Sequence, residues 1–257
     1  MLLKPLLYLK KDIVIGLGEI GIILHKLFSK SFIVEGYDIN PKLIPKNLKK
    51  NELWPIRFLH ICIPYTKIFN SQILKLEKKF RPQGIIIHST IKPSTTSNIQ
   101  RKLQIPVIYS PTRGVHKRML KDLRRYSKFF AIENKAPNKK WACKELAKLL
   151  KKSGLKTKQM SSPITLELGK IVCDTSYYGW LINFAQISKI IADRENVDYD
   201  EMWSFSDEIH KFLGNRPKMF PGFIGGHCVI PNLELLNDPS LNQIKQINYL
   251  FKKISNI

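Results

Sequence analysis

The chain has 257 residues, enough for a dinucleotide-sized domain and a smaller partner. Hydrophobic residues make up 44% and charged residues 25%, which excludes a disordered chain and leaves ample material for a core. Lys and Arg number 43 against 20 Asp and Glu, a formal charge of +23 that favours anionic partners. The basic residues are spread over every segment rather than gathered in one stripe, so nucleic acid is not the favoured partner.

From Asp12 to about Met160, short apolar runs alternate with amphipathic stretches, the pattern of a parallel sheet covered by helices. Strands are predicted over Asp12 to Gly16, Phe32 to Asp38, Arg57 to Ile63, Gly84 to Ser89, Pro106 to Ser110 and Phe129 to Glu133. Helical patterns lie between them at Glu19 to Lys30, Ile68 to Phe80 and Asn138 to Lys152, the last closed by Gly154 where a left-handed cap is wanted. Beyond Met160, Ser162 can cap and Pro163 can open one long helix reaching about Arg194. The remainder reads as helices broken by a Gly- and Pro-rich loop from Gly214 to Pro231. The expectation is a Rossmann-type doubly wound α/β domain over 1–160, followed by a smaller all-helical domain over 161–257 with a long connecting helix.

Cys62, Cys143, Cys173 and Cys228 form no CxxC pair, so neither a disulfide framework nor a metal site is expected. No stretch approaches the roughly 20 apolar residues of a membrane span, and no cleavable leader is evident. A soluble cytoplasmic protein without a membrane partner is therefore expected.

Asp12-Ile13-Val14-Ile15-Gly16-Leu17-Gly18-Glu19-Ile20-Gly21 places GxGxxG between a strand and a helix. Glycines there permit a tight turn, close approach of a pyrophosphate and packing of the helix on the sheet. Asp38 ends the second strand twenty residues after Gly18, the offset of a carboxylate that binds the adenosine ribose. Gly16, Gly18, Glu19, Ile20, Gly21 and Asp38 are thus candidate cofactor residues, and the acid favours NAD over NADP, although Lys42 nearby keeps NADP open.

Gly225-Gly226-His227-Cys228 brings glycines up to one cysteine, which can expose a thiol and leave backbone amides free beside it. Cys228 is then a nucleophile or an inert packed cysteine. His227 is given no base role. Glu167, Lys170 and Asp174 are spaced to share a helix face with Tyr178, either as an ion-paired surface or as an ammonium presented to a developing oxyanion. Cys173 is read as a packing residue.

Taken in order, these segments resemble the UDP-glucose and GDP-mannose dehydrogenase family. Gly16 to Gly21 and Asp38 look like its NAD site, and Ser89-Thr90-Ile91-Lys92-Pro93-Ser94-Thr95-Thr96 like its STVPPGTT segment. Ser110-Pro111 is similar to its SPE motif, Glu167-Leu168-Gly169-Lys170 to its ExxK helix, and Gly225 to Cys228 to its nucleophile loop. The resemblance implies two NAD-dependent oxidations of a primary alcohol on a sugar or nucleotide sugar through a Cys228 thioester. Lys170 would then stabilise oxyanions, and Thr90 would order water and also touch the cofactor. It further implies substrate contacts from Glu167, Lys170 and Gly225, and a homodimer formed through the long helix.

Four departures qualify it. Thr112 stands where the family has an acid, and Asp174 and Asn232 stand where it has an asparagine and a carboxylate, so hydrolysis of the thioester lacks its usual bases unless Asp174 serves. No match to the family's nucleotide-gripping third domain is expected within these residues, so either the substrate is not nucleotide-linked or its diphosphate is held by the basic segment. The basic segment with Arg113, His116 and Arg118 is therefore expected to hold an anionic substrate. Two other readings compete: a single-step dehydrogenase centred on Lys170, and a catalytically silent NAD- or nucleic-acid-binding protein.

Overall fold

A computed structural model describes residues 10–44, 55–213, 221–226, 228–236 and 239–255. The opening residues 1–9, most of the Gly- and Pro-rich segment from 214 to 220, and His227 lie outside the described residues. The chain divides into two compact units, one ending at Glu167 and one beginning at Leu168.

The first unit is built on β1 (Lys11–Ile15), α1 (Glu19–Phe28), β2 (Ile33–Tyr37), β3 (Ile56–Ile61), α2 (Phe69–Phe80), β4 (Gly84–Ile87) and α3 (Thr95–Gln100). It continues with β5 (Val107–Tyr109), α4 (Met119–Arg125), β6 (Lys128–Ile132), α5 (Lys139–Lys152) and β7 (Thr157–Gln159). The strands form one sheet in the order β2-β1-β3-β4-β5-β6-β7. The order reverses between β1 and β3, which makes the carboxyl ends of those two strands the switch point where α/β sheets place ligands.

Strands buried on both faces carry unbroken apolar runs such as Ile85-Ile86-Ile87, each 0% exposed. Leu24, Leu27 and Phe28 of α1, Met119 and Leu123 of α4, and Leu146, Leu149 and Leu150 of α5 pack together in one core cluster. Phe69 and Ile73 of α2 and Ile99 of α3 belong to the other. Gly154 (φ +74°) ends α5 in the left-handed conformation the sequence required.

Two features depart from the expectation of an all-parallel six-stranded sheet. β6 runs antiparallel to β5, and β7 adds an edge strand. The Thr157-Lys158-Gln159 side chains are all exposed, so β7 has no apolar alternation to announce it.

The expected long helix is three segments: α6 (Pro163–Leu168), a π-helical turn over Gly169–Ser176, and α7 (Tyr177–Arg194). Ser162 Oγ accepts from the Thr165 amide at 3.3 Å and so caps the start as expected. Within the π turn the Thr175 and Ser176 hydroxyls donate to the carbonyls of Lys170 and Ile171, five residues back, which holds the widened backbone. The division between units falls after Glu167, later than the 160/161 boundary expected, because Leu166 packs into the sheet core and Glu167 bonds to the start of α3.

The second unit comprises the π turn, α7, α8 (Tyr199–Ser204), α9 (Asp207–Leu213), α10 (Val229–Leu236) and α11 (Asn242–Ile254). Its core joins Ile224, Val229, Leu233 and Ile244. A Cβ on Gly179 of α7 would stand 3.0 Å from Val229 Cγ1, so that glycine lets α10 approach closely. Among the described residues no helix is long and apolar enough to cross a membrane.

Candidate active site

The first group of predicted residues gathers at the β1/β3 switch point. Gly16 adopts φ +87°, and a Cβ there would stand 3.1 Å from the Cys62 backbone. A Cβ on Gly21 would overlap the Gly16 carbonyl oxygen, so the helix closes on the turn only because position 21 is glycine. Gly18, by contrast, would meet nothing within 4 Å, which leaves open space at the amino terminus of α1. Glu19 and Ile20 form the first turn there.

Asp38 follows β2, and its two oxygens accept from the amides of Leu17 (2.7 Å) and Asn40 (2.8 Å). Each carboxylate oxygen keeps a lone pair for a further donor. A Cβ-free opening at a helix amino terminus beside an oriented carboxylate fits the phosphates and ribose of a dinucleotide.

The loop after β4 carries Thr90, which is half-buried. Its neighbour Ser89 donates to the Ile63 carbonyl at 2.5 Å and ties the loops after β3 and β4 together. Glu167 anchors the far end of this segment: its carboxylate accepts from the Ser94 amide (2.6 Å), the Thr96 amide (3.0 Å) and the Thr96 hydroxyl (2.6 Å). Burial raises the Glu167 pKa against those hydrogen bonds, and the residue is 0% exposed. Glu167 therefore holds the Thr90 segment in place instead of facing outward on a helix surface with Asp174.

The basic segment is only in part where the sequence reading put it. Arg113 donates to the Ser127 carbonyl at 2.8 Å and lies over the Phe129 ring at 4.6 Å, so its guanidinium is committed to the turn before β6. Arg118 pairs with Asp122 at 3.0 Å, and Asp122 also accepts from the Val115 amide. The amide and the guanidinium together hold Asp122 below the usual carboxylate range. His116 begins a short 3-10 turn, and its side chain is outside the described residues. Lys117, Arg118, Lys121 and Arg124 line a shallow groove of about 460 Å³ beside Ile23.

The second group is in the helical unit. Lys170, 8% exposed, pairs with Asp174 at 2.5 Å. Cys228 directly precedes α10, and its carbonyl accepts the first helical bond, from the Asn232 amide at 3.3 Å. Cys228 is exposed, the surrounding protein partly desolvates its thiol and pushes it up, the Lys170 ammonium pulls it down and the Asp174 carboxylate raises it. Asn232, on the next turn of α10, is 7% exposed and donates to Thr175 Oγ1 at 3.4 Å. Cys173 is exposed rather than packed, because the extra residue of the π turn shifts the phase of the helix.

Sequence reasoning missed what holds this loop. Asn248 of α11 accepts from the Ile224 amide (2.8 Å) and donates to the Ile224 carbonyl (3.0 Å), which fixes the strand-like approach to Gly225. Gln186 of α7 donates to Asn248 and to the Gly222 carbonyl. The signal was present in part: Ile244, Asn248 and Phe251 are spaced to share the apolar face of α11, so an amide is buried there.

No protein-family model matches the sequence, and no curated protein matches it. Solved structures do. The UDP-D-ManNAc dehydrogenase of Pyrococcus horikoshii matches with a TM-score of 0.78 at 19% identity, over 96% of this chain and 70% of that one. The UDP-N-acetyl-mannosamine dehydrogenase Cap5O of Staphylococcus aureus matches with 0.70 at 20% identity, over 96% and 69%. A UDP-glucose dehydrogenase of Pyrobaculum islandicum matches with 0.70 at 14% identity, over 99% and 70%. The fold is thus shared with proteins of the kind the sequence motifs resemble, and the chain spans about 70% of their length.

Proposed function

We propose that the chain oxidises a primary alcohol on a sugar or nucleotide sugar with NAD, through a covalent intermediate on Cys228. The observation that carries this reading is the Lys170–Asp174 pair in the π turn, which packs against α10 just after Cys228 through the Asn232–Thr175 contact, with the Lys170 charge lowering the Cys228 thiol. A structural cysteine has no need of an ammonium beside it, whereas a thiolate nucleophile and the oxyanions it generates do.

NAD, when bound, supplies the hydride acceptor. Asp38 receives ribose hydroxyls, and the opening at Gly18 with the α1 amino terminus receives the diphosphate. Lys170 stabilises the alkoxide formed when the substrate hydroxyl gives up its proton to a base, for which Asp174 is available, and the carbon, once oxidised, stays in the site as an aldehyde. The Cys228 thiolate adds to the aldehyde carbon and Lys170 stabilises the resulting oxyanion; a second two-electron oxidation, for which NAD would again be the acceptor, would leave a thioester on Cys228. Cleavage of the thioester by water then releases the acid and restores the Cys228 thiol. Asp174, with 43% of its side chain exposed, is the carboxylate available in this group to take the proton. Arg118 and Gly225 remain assigned to the substrate. Asn232 supports the π turn behind Lys170.

Exposed Tyr177, Trp180, Phe184 and Ile191 on α7 support a homodimer formed through that helix. The test of function is a screen for NADH formation with nucleotide sugars and free sugar phosphates, with products identified by mass. Turnover by Cys228→Ser equal to the unaltered protein, with loss only in Lys170→Ala, would move the assignment to a single-step dehydrogenase.

A further inference from the structure

Thr112 follows Ser110-Pro111 at the carboxyl end of β5, and its hydroxyl has an unusual neighbour. Lys128 opens the antiparallel strand β6, so its side chain reaches that end of β5 and is buried there at 3% exposure. Its ammonium donates to the Ser110 carbonyl (2.6 Å), the Pro111 carbonyl (2.9 Å) and Thr112 Oγ1 (3.1 Å). An ammonium has no lone pair, so Thr112 is the acceptor and its own hydrogen points elsewhere.

The same loop is held from behind by His88. Burial, reinforced by the Lys128 charge, pushes the His88 pKa well below its ordinary value, so the ring is neutral. Its Nδ1 donates to the Ser110 carbonyl at 2.9 Å, which leaves Nε2 to accept from His60 Nδ1 at 3.0 Å. The Thr112 amide donates to the His88 carbonyl at 3.3 Å. Backbone and hydroxyl of Thr112 are therefore both fixed.

We propose that Lys128 is a positioning residue that makes Thr112 a dedicated hydrogen-bond donor to a negatively charged oxygen of the substrate. A hydroxyl that accepts from an ammonium is polarised, and its O–H becomes a stronger donor. With a cation on its lone pair it does not take up a proton. The position that would hold a base in the resembling family thus favours an anion in this chain. That this oxygen belongs to the substrate rests on the function proposed above. The preference for negative charge at position 112 does not.

That preference is read without turnover by placing a thiol there. In Thr112→Cys, the rate of iodoacetamide labelling at residue 112 is followed against pH by peptide mass mapping. The expected thiol pKa lies below the ordinary value of about 8.5. It should rise in Thr112→Cys/Lys128→Met, slowing labelling at pH 7 by about tenfold for each unit, and stay low in Thr112→Cys/Lys128→Arg. A thiol at or above its ordinary value in the single variant overturns the proposal, even if the Lys128→Met protein does not fold. Where turnover is found, Thr112→Val should lower kcat with little change in KM and Thr112→Ser should restore it. Unchanged kcat in Thr112→Val overturns the donor role. Absence of turnover in the unaltered protein counts against the proposed function alone, and the thiol titration then decides this proposal by itself.

Discussion

Asn232 Nδ2 lies 3.4 Å from Thr175 Oγ1, and that hydroxyl in turn donates to the Lys170 carbonyl at 3.1 Å. Because Thr175 spends its hydrogen on Lys170, it can only accept from position 232, and an amide suits it where a carboxylate does not. Asn232→Asp sets two acceptors against each other, so the aspartate captures the Thr175 hydrogen and releases the Lys170 carbonyl. A loss of about 1–2 kcal/mol is expected, the cost of one buried group left unpaired. Urea unfolding of the variant checks it, and a gain in stability would contradict this account of the π turn.

Gly21 and Gly18 belong to one motif and are expected to respond oppositely. Gly21→Ala forces the α1 turn away from the Gly16 carbonyl and should lower the unfolding midpoint as well as NAD affinity. Gly18→Ala meets no atom within 4 Å, so folding should be nearly unaffected. Its methyl group stands in the space reserved for the phosphates, and NAD affinity should fall by roughly tenfold or more. Calorimetric titration and thermal unfolding of both variants separate the two effects.

Asp12 joins a buried network: Arg57 holds both its oxygens, at 3.0 and 2.6 Å, and Glu145 takes another guanidinium nitrogen at 3.1 Å. Burial alone would raise the Asp12 pKa, but His60, whose Nε2 lies 3.4 Å from Asp12 Oδ2, and the Arg57 guanidinium outweigh it and the folded value is lowered. A lowered carboxylate contributes stability above its unfolded pKa of about 3.9 and loses it as pH falls through the folded value. Asp12→Asn leaves Arg57 short of a partner and should cost about 3–5 kcal/mol at pH 7. The gap to the unaltered protein should narrow below about pH 4, measured by urea unfolding across that range.

The reactivity of Cys228 reports on its charged neighbours. Burial raises the thiol pKa, Lys170 lowers it and Asp174 raises it. Labelling by iodoacetamide at pH 7 should slow in Lys170→Met and quicken in Asp174→Asn. Asp174 is substantially exposed, so solvent screening limits its effect to about two- to fivefold. Equal rates in all three proteins would separate the thiol from the lysine.

Much of the sheet unit was legible because its signals are local. An apolar strand, three spaced glycines, an amphipathic helix and Asp38 stand in one stretch of sequence, and the same residues meet at the β1/β3 switch point. Gly154 and Ser162 were legible for the same reason, each acting on its own helix end. What escaped depends on residues far apart. Lys128 reads as the edge of a strand until β6 turns antiparallel and carries it to Ser110. His60 and His88 lie in separate strands and meet only when β3 and β4 pair. The π turn inserts a residue that a 3.6-residue pattern cannot display, so Cys173 is exposed where packing was expected, and Glu167 is drawn inward by Ser94 and Thr96, more than 70 residues away.

The fate of a covalent intermediate tests the proposed mechanism as a whole. Position 112 holds a hydroxyl and position 232 an amide, and neither accepts a proton as a carboxylate does. With substrate and NAD present, a thioester on Cys228 should therefore form faster than it is cleaved and should appear as an added mass on the intact protein. Cys228→Ser should abolish both the adduct and release of acid, while limited aldehyde-level chemistry survives because the first hydride loss does not use the thiol. A rapid burst of acid from the unaltered protein, with no adduct at any time, would show that hydrolysis has an efficient base, and Asp174→Asn would then be the variant expected to reveal it by trapping the thioester.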